Sequence, residues 1–154
     1  METVSAFLIA CVMIGSGNPT LKTDTVIDIC ESVEYHAQQS KFDPSTIVGL
    51  IWVESRFDPA AVSRSNARGV MQVIIGRSWS PDYTNEDMLD PWLSVEAGIG
   101  IAEKFRRRHP KDWLECYNAG NSCDAPSYAK AVKRVAKRHR ALQSRVHNAL
   151  SSGQ

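Results

Sequence analysis

Two aspartate-proline pairs mark where helices of this chain begin. Asp43 precedes Pro44 and Asp90 precedes Pro91, and behind each pair apolar side chains recur every three or four residues. Aspartate caps the first turn of a helix and proline suits the first helical position, so each pair predicts a helix start. The stripes consist of Ile47, Leu50, Ile51 and Glu54 after the first pair, and of Val95, Ile99, Ala102 and Phe105 after the second. A chain with such stripes has to pack helices around a shared core.

Further helices follow from the same spacing. Residues 24–40 are predicted to form an amphipathic helix, Trp113 lies in a short helix that runs into a turn, and a long terminal helix follows. His139 falls on the inner stripe of that terminal helix, where a hydrogen-bonded core histidine is expected. Residues 56–83 lose the period, and their Pro, Ser, Asn and Gly favour loops, one short helix near Pro59 and a small hairpin around "RGVMQV". At 154 residues, the chain is predicted to form one mainly helical domain.

Composition and charge narrow the range of partners. The chain is 43% hydrophobic and 23% charged with a formal net charge of +1, which are the values of an ordinary globular domain. From Ala125 onward it carries seven Lys and Arg residues and no Asp or Glu. Because apolar residues are interleaved among them at helical spacing, the basic residues are interpreted as the solvated face of a packed helix. We therefore predict no nucleic-acid partner.

The first 20 residues contain an apolar segment that is treated apart from the domain at residues 21–154. Residues 4–14, "VSAFLIACVMI", have the length of the hydrophobic region of an export signal, and "GSGNPT" follows them. The positive start of such a signal is missing, and the segment is too short to span a bilayer. Two alternatives stand: an export signal, or a short helix docked on the domain or on a partner. Any membrane contact is expected only through this segment.

The four cysteines allow three complete pairings, and the sequence does not choose among them. Cys116 and Cys123 bracket "YNAGNS", so a disulfide across that loop is one expectation in an oxidising compartment. Buried free thiols are the alternative. The cysteine spacing fits no zinc motif and the four histidines are scattered, so we predict no metal and no cofactor.

Glu54 is the residue with the clearest chemical potential. It lies near the end of the helix that begins at Pro44 and continues the apolar stripe of that helix. Burial and the negative end of the helix dipole both favour the neutral carboxyl, which raises its pKa. Such a group can protonate the leaving oxygen of a glycosidic bond. The alternative is a structural ion pair with Arg56, Arg64 or Arg68.

Four motifs in order suggest a family. The stretches "ESRFDPAAVSRSNARGVMQV", "DPWLSVEAGIGIA", "CYNAG" and "SYAKAV" resemble the successive motifs of the soluble lytic transglycosylase catalytic domain, a relative of goose-type lysozyme. The resemblance runs from about Ile27 to about Val135, and four ordered motifs are more specific than any one. It implies a mainly α, lysozyme-like single domain, with a groove lined by the small irregular or hairpin region.

The resemblance also implies a set of site residues. Glu54 matches the catalytic acid of the family and Tyr128 matches the tyrosine that approaches the acid. The positions that match the substrate-binding segments are Ser55, Gly69, Val70, Met71, Gln72, Tyr117 and Asn118. Read singly, each has an ordinary structural explanation, such as a turn at Gly69 or core packing at Met71.

The physical chemistry of three of these residues suits a sugar. Gly69 lets backbone lie close to a ligand, because it has no side chain. Met71 offers a flexible apolar contact, and Gln72 can donate to and accept from an acetamido group. These contacts are expectations about side chains, which the fold has to bring to the groove.

The reaction that the resemblance implies needs one carboxyl group. The family cleaves the bond between N-acetylmuramic acid (MurNAc) and N-acetylglucosamine (GlcNAc) in peptidoglycan and forms a 1,6-anhydro sugar, which opens the cell wall locally. The first alternative is a muramidase that hydrolyses the same bond with a second carboxylate, for which Asp82, Glu86, Asp87 and Asp90 are candidates. Asp58 is instead interpreted as the cap of the short helix near Pro59. The second alternative is a non-catalytic protein that binds peptidoglycan during an assembly process.

Partners and location follow from the same resemblance. The expected partner is the glycan strand of peptidoglycan. Small domains of this kind also occur in secretion systems and phage virions, so a secretion or phage-tail assembly is a further expected partner. The expected location is periplasmic or exported, or virion-associated, at the bacterial cell wall.

Overall fold

The computed structural model describes residues 4–76 and 82–153 of the chain. Within these ranges it has six α-helices, two short 3-10 turns at Asp87–Leu89 and Gly120–Ser122, and no β-strand. The helices are α1 Ala6–Gly15, α2 Thr23–Ser40, α3 Pro44–Ser55, α4 Pro91–Arg108, α5 Trp113–Ala119 and α6 Pro126–Ser152. The prediction of a mainly helical domain is confirmed.

Both aspartate-proline pairs begin helices as predicted. The Asp43 carboxylate accepts from the backbone N–H of Ser45 at 3.3 Å, and the Asp90 carboxylate accepts from the N–H of Leu93 at 3.1 Å. Each proline occupies the first turn of its helix, where no backbone donor is needed. These caps set the register of the stripes that pack into the core.

Helix α3 lies at the centre of the packing, between α2 and the long helix α6. Ile47, Leu50 and Ile51 have no exposed surface. Gly49 lets α6 approach closely, because a Cβ at this position would lie 2.5 Å from the Val132 carbonyl oxygen. Helix α3 is thereby held along its length, which fixes the position of its last turn.

His139 is the core histidine that its place on the stripe predicts. It is fully buried on α6, and its Nδ1 lies 2.8 Å from the Ser45 hydroxyl. Burial lowers the pKa of its imidazole, so the neutral ring is favoured. The residue therefore bridges α6 and the start of α3.

The apolar N-terminal segment forms a helix that packs on the domain. Helix α1 contacts α2, α3 and α6, and a disulfide joins Cys11 to Cys30 of α2. Phe7, Ala10 and Ile14 face the core. The segment thus packs as a helix in this structure, while the choice between an export signal and a docking helix stays a prediction. Within residues 4–76 and 82–153, no helix combines the length and the apolar character needed to cross a membrane.

The irregular region between α3 and α4 differs in two ways from the prediction. The short helix near Pro59 is absent from the described part of the chain; instead the Asp58 carboxylate accepts from the N–H of Ala60 at 2.9 Å and closes a turn. The predicted hairpin is reduced to isolated bridges of Arg68 with Val62 and with Val73. Local turn bonds of Asp and Ser compete with regular structure here. Residues 77–81 lie outside the described residues.

Candidate active site

Glu54 sits in the last turn of α3, where the helix ends. It is only partly exposed, and its Oε1 accepts a hydrogen bond from the Tyr128 hydroxyl of α6 at 2.5 Å. Burial raises the pKa of Glu54 to about 7, and the Tyr128 bond opposes that rise to a lesser degree. The carboxyl group can therefore change protonation state near neutral pH, as a general acid must.

The ion pair that was the alternative for Glu54 is not formed among the described residues. Arg56 instead lies over the Trp52 indole, with its guanidinium carbon 5.4 Å from the ring centroid. Arg68 donates to the Asn66 side chain at 3.0 Å. Among the described residues, no charged group contributes to the raised pKa of Glu54. Within this part of the chain, the carboxyl is thus buried without a cation to neutralise it.

Ser55 ties the end of α3 to a loop within the irregular region. Its hydroxyl lies 2.9 Å from the Val70 carbonyl oxygen and 3.2 Å from that of Ile51, and it donates to these acceptors. The hydroxyl proton is therefore used within the protein. Towards a ligand, Ser55 offers the lone pairs of its oxygen.

The loop at residues 69–72 is shaped by Gly69. This residue has φ +74, and a Cβ on it would lie 1.8 Å from the Met88 carbonyl oxygen and 2.7 Å from the Ser94 hydroxyl. Only glycine fits a position with a positive φ and so little space. The tight turn closes with a hydrogen bond from the Gln72 N–H to the Gly69 carbonyl oxygen at 3.1 Å.

Val70 and Met71 are buried entirely, backbone included, and their side chains pack into the core. Both side chains have no exposed surface. Met71 packs on Gly98 of α4, where a Cβ would lie 2.6 Å from its sulfur. The expected contact between the Met71 thioether and a sugar is therefore not available in this structure, because the side chain fills the space beside the glycine.

The side-chain amide nitrogen of Gln72 is hydrogen-bonded within the protein. Its Nε2 donates to the carbonyl oxygens of Gly69 at 3.0 Å and of Ala61 at 3.2 Å. Of the two roles predicted for Gln72 towards a sugar, donor and acceptor, the role of acceptor is the one left. Its Oε1 remains the atom that can receive a hydrogen bond from an acetamido N–H.

Tyr117 of α5 is hydrogen-bonded to the loop at residues 69–72. Its hydroxyl donates to the Met71 carbonyl oxygen at 2.8 Å. Burial raises its pKa well above the usual value, and the negative charge of Glu54 adds to the rise. Burial and Glu54 likewise raise the pKa of Tyr128. Both tyrosines therefore stay protonated and act as donors beside Glu54. Asn118, which follows Tyr117 in the chain, is exposed at the groove.

A cavity of about 250 Å³ opens beside Tyr117. Three segments form its walls: the chain at residues 72–74, one face of α4, and the end of α5 with the turn after it. The lining residues are Gln72, Ile74, Ile101, Lys104, Phe105, Arg108, Tyr117, Asn118, Gly120 and Asn121. Amide groups, apolar groups and cations line it, and none of the described lining residues carries a carboxylate.

The α4 wall was missed by reasoning from the sequence. Ile101, Lys104, Phe105 and Arg108 are spaced as one helix face, and only Phe105 was on the predicted core stripe. A second stripe of mixed apolar and basic character on the same helix was the available signal.

The candidates for a second carboxylate have other tasks or lie exposed. Asp90 caps α4, and the Asp87 carboxylate accepts from the N–H of Thr84 at 2.7 Å. Asp82 and Glu86 are exposed. None of these carboxylates affects the pKa of Glu54. The described site thus rests on one carboxyl group.

The loop that carries Asn118 is closed by a disulfide between Cys116 and Cys123. Its sulfurs and a ring nitrogen of His109 lie within 4.8 Å of one another, the one such group of metal-ligand type among the described residues. Because both sulfurs are bonded to each other, neither is a thiolate that could bind a metal ion. The disulfide instead holds the ends of the loop together.

The helices and this groove define a class of protein, the lysozyme-like domains. The family model described as the Transglycosylase SLT domain matches residues 31–141, which is most of the chain. The chain belongs to this family. The match confirms the resemblance that was drawn from the four sequence motifs.

Two curated relatives extend the comparison. Membrane-bound lytic murein transglycosylase D of Escherichia coli is 33% identical over 94 residues, which cover 58% of this chain and 21% of that protein. Membrane-bound lytic murein transglycosylase C of Actinobacillus succinogenes is 32% identical over 84 residues, covering 47% of this chain and 23% of that protein. The chain therefore spans less than a quarter of the length of these relatives.

Proposed function

We propose that this chain is a peptidoglycan lytic transglycosylase. It cleaves the β-1,4 bond between MurNAc and GlcNAc, leaves a 1,6-anhydroMurNAc end, and so opens the cell wall locally. The observation that carries the proposal is the single carboxyl of Glu54, with a pKa of about 7 and the Tyr128 hydroxyl as its partner. Membership of the family and the names of the two murein transglycosylases support the same substrate.

Glu54 acts twice in the proposed reaction. Its neutral carboxyl gives a proton to the glycosidic oxygen, the bond from C1 of MurNAc breaks, and the 2-acetamido group of the same sugar stabilises the positive charge. The Glu54 carboxylate then takes the proton of the C6 hydroxyl as O6 bonds to C1. The acid is restored and no water is consumed. A pKa of about 7 suits both halves, because neither protonation state is costly near neutral pH.

Tyr128 positions the acid and stabilises its charged form. Its hydroxyl donates to Oε1 of Glu54, which leaves Oε2 for the proton in transit. A hydrogen bond to the carboxylate is worth most in the half of the cycle in which Glu54 is ionised. We assign Tyr128 to the catalytic pair with Glu54 on this ground.

Substrate binding is assigned to the groove residues by the groups that they leave available. Ser55 offers its hydroxyl oxygen and Gln72 its Oε1, as acceptors. Tyr117 and Asn118 line the cavity beside them. Gly69, Val70 and Met71 are buried, so we assign them the role of holding the loop in place, with Gly69 packed against Met88 and Ser94.

The two alternatives are less well supported. A muramidase of the usual kind uses a second carboxylate about 5–9.5 Å from the first, whereas the described candidates cap turns, as Asp87 and Asp90 do, or lie exposed, as Asp82 and Glu86 do. A protein that only binds glycan has no use for a carboxyl held neutral by burial at a cost in stability. The site of action that we propose is the bacterial cell wall, reached by export or as part of a virion. Recruitment by a secretion or phage-tail assembly stays a prediction.

Mass spectrometry of the muropeptides released from purified peptidoglycan tests the proposed reaction. We expect products that are lighter by one water than the fragments that a lysozyme releases, because O6 and not water attacks C1. Digestion in water enriched in oxygen-18 is the control, since the anhydro ends gain no label. Fully hydrated, labelled products would instead establish a muramidase, and the absence of any product would favour the binding role.

A further inference from the structure

We propose that the α4 wall of the groove cavity binds a carboxylate carried by the muramic acid unit, with Arg108 as the principal contact. The inference rests on the proposed function and adds a substrate feature to it. Muramic acid bears a lactyl group, which is a free carboxylate in strands without peptides. In intact strands the lactyl group is amide-linked to a peptide that has carboxylates of its own. Both sources present the same chemical group beside the glycan chain.

The run of three arginines at the end of α4 separates into three environments. Arg106 packs into the fold: its guanidinium carbon lies 3.8 Å from the centroid of the Phe42 ring, and it donates to the Lys41 and Ser40 carbonyl oxygens at 3.4 Å. Arg107 is exposed and does not line the cavity. Arg108 is the member of the run that lines it. Of the three consecutive arginines, Arg108 is therefore the one that lies at the groove cavity.

The chemistry of the cavity suits an anion with apolar parts. Arg108 and Lys104 both line the cavity and are one helical turn apart on α4. The opposite side supplies the side-chain amides of Gln72 and Asn118, and no carboxylate lines the cavity. Among the described residues, no Asp or Glu forms an ion pair with Arg108. A guanidinium in this position offers the forked pair of donors that matches a carboxylate.

The cavity shares Gln72 and Tyr117 with the loop and the helix that flank the end of α3. Tyr117 lines it and at the same time bonds to the Met71 carbonyl oxygen and feels the charge of Glu54. Ile101 and Phe105 line the same wall as the two cations and offer apolar surface to the methyl groups of a lactyl or alanyl unit. An anionic substituent bound here would hold the muramic acid unit in register with the acid.

The test is a binding measurement in the Glu54→Gln background, which needs no turnover. Soluble glycan strands are titrated against three proteins. The first carries Glu54→Gln only, the second carries Arg108→Gln as well, and the third carries Arg107→Gln as well and is the matched control. We expect Arg108→Gln to weaken binding about five- to tenfold, as befits one charge-assisted contact at an exposed site. Arg107→Gln, its neighbour on the same helix, is expected to leave binding unchanged. The Arg108 effect should shrink as salt is raised.

Three preparations of strand locate the carboxylate. If Arg108→Gln loses affinity only for intact strands, the contact is with the peptide. If it loses affinity only for peptide-free strands, the contact is with the lactyl group. In strands whose carboxylates have been converted to amides, Arg108→Gln and its parent should bind alike. Equal binding of Arg108→Gln and its parent on all strands, or a difference that survives amidation, would overturn the inference. Because no cleavage is needed, failure of the proposed reaction in the wild-type product assay is a separate result.

Discussion

Glu54→Gln is expected to lower the rate of glycan cleavage by about a hundredfold to ten-thousandfold, the range of a lost general acid. The amide has the shape of the carboxyl group and can still accept the Tyr128 hydrogen bond, but it has no proton to give to the glycosidic oxygen. The same change removes the base for the second half of the reaction. The release of soluble muropeptides from purified peptidoglycan measures the effect.

The control for this variant is Glu31→Gln, which removes a carboxylate from the exposed face of α2. It should keep the full rate, so that a general effect of charge is ruled out. The unfolding temperature of Glu31→Gln should match that of the wild type. The unfolding temperature of Glu54→Gln should match or exceed it, because a buried carboxyl with a raised pKa destabilises the fold when it ionises. A folded Glu54→Gln protein with undiminished activity would remove Glu54 from the mechanism.

Gly69→Ala is expected to have the largest effect on stability among single methyl additions in the groove. The added Cβ would lie 1.8 Å from the Met88 carbonyl oxygen, and the residue would have to hold φ +74. Together the left-handed backbone and the clash should lower the free energy of unfolding by about 3 kcal/mol or more. Cleavage should fall as well, because the displaced loop carries the Val70 and Met71 carbonyl oxygens to which Ser55 and Tyr117 donate.

Gly76→Ala separates the cost of the left-handed backbone from the cost of the steric clash. Gly76 has φ +90, but a Cβ there would meet no atom of the described residues within 4 Å, so this variant is expected to carry the backbone cost of about 1–2 kcal/mol. Chemical denaturation of both variants gives the comparison. If Gly69→Ala were no less stable than Gly76→Ala, the close packing of the loop against Met88 and Ser94 would be refuted.

The helices could be predicted because their signals are local. Caps such as Asp43 and Asp90 act within one turn, and the spacing of the apolar residues decides which face is buried. The same spacing placed Glu54 beside the core and His139 within it. The predicted helix near Pro59 failed because a side-chain bond of Asp58 closes a turn before a helix can begin.

The details of the groove could not be predicted, because they depend on contacts between distant parts of the chain. That Met71 points into the core follows from the space beside Gly98 on another helix. The Tyr117 hydroxyl finds its acceptor 46 positions away. Arg106, Arg107 and Arg108 are equivalent in the sequence, and only the packing of α4 distinguishes them. The identity of the site residues follows from motifs, whereas the atoms they offer follow from the fold.

The central claim is that one buried carboxyl group, neutral until the pH approaches 7, is available to carry out the whole reaction. Nuclear magnetic resonance of protein labelled with carbon-13 at the glutamate carboxyl groups tests it most directly, with Glu54→Gln used to assign the signal. We predict a titration midpoint for Glu54 near 7, well above the ordinary value of 4.5. A midpoint at or below that ordinary value would contradict the account, because Glu54 would then be ionised at neutral pH and unable to act as the acid.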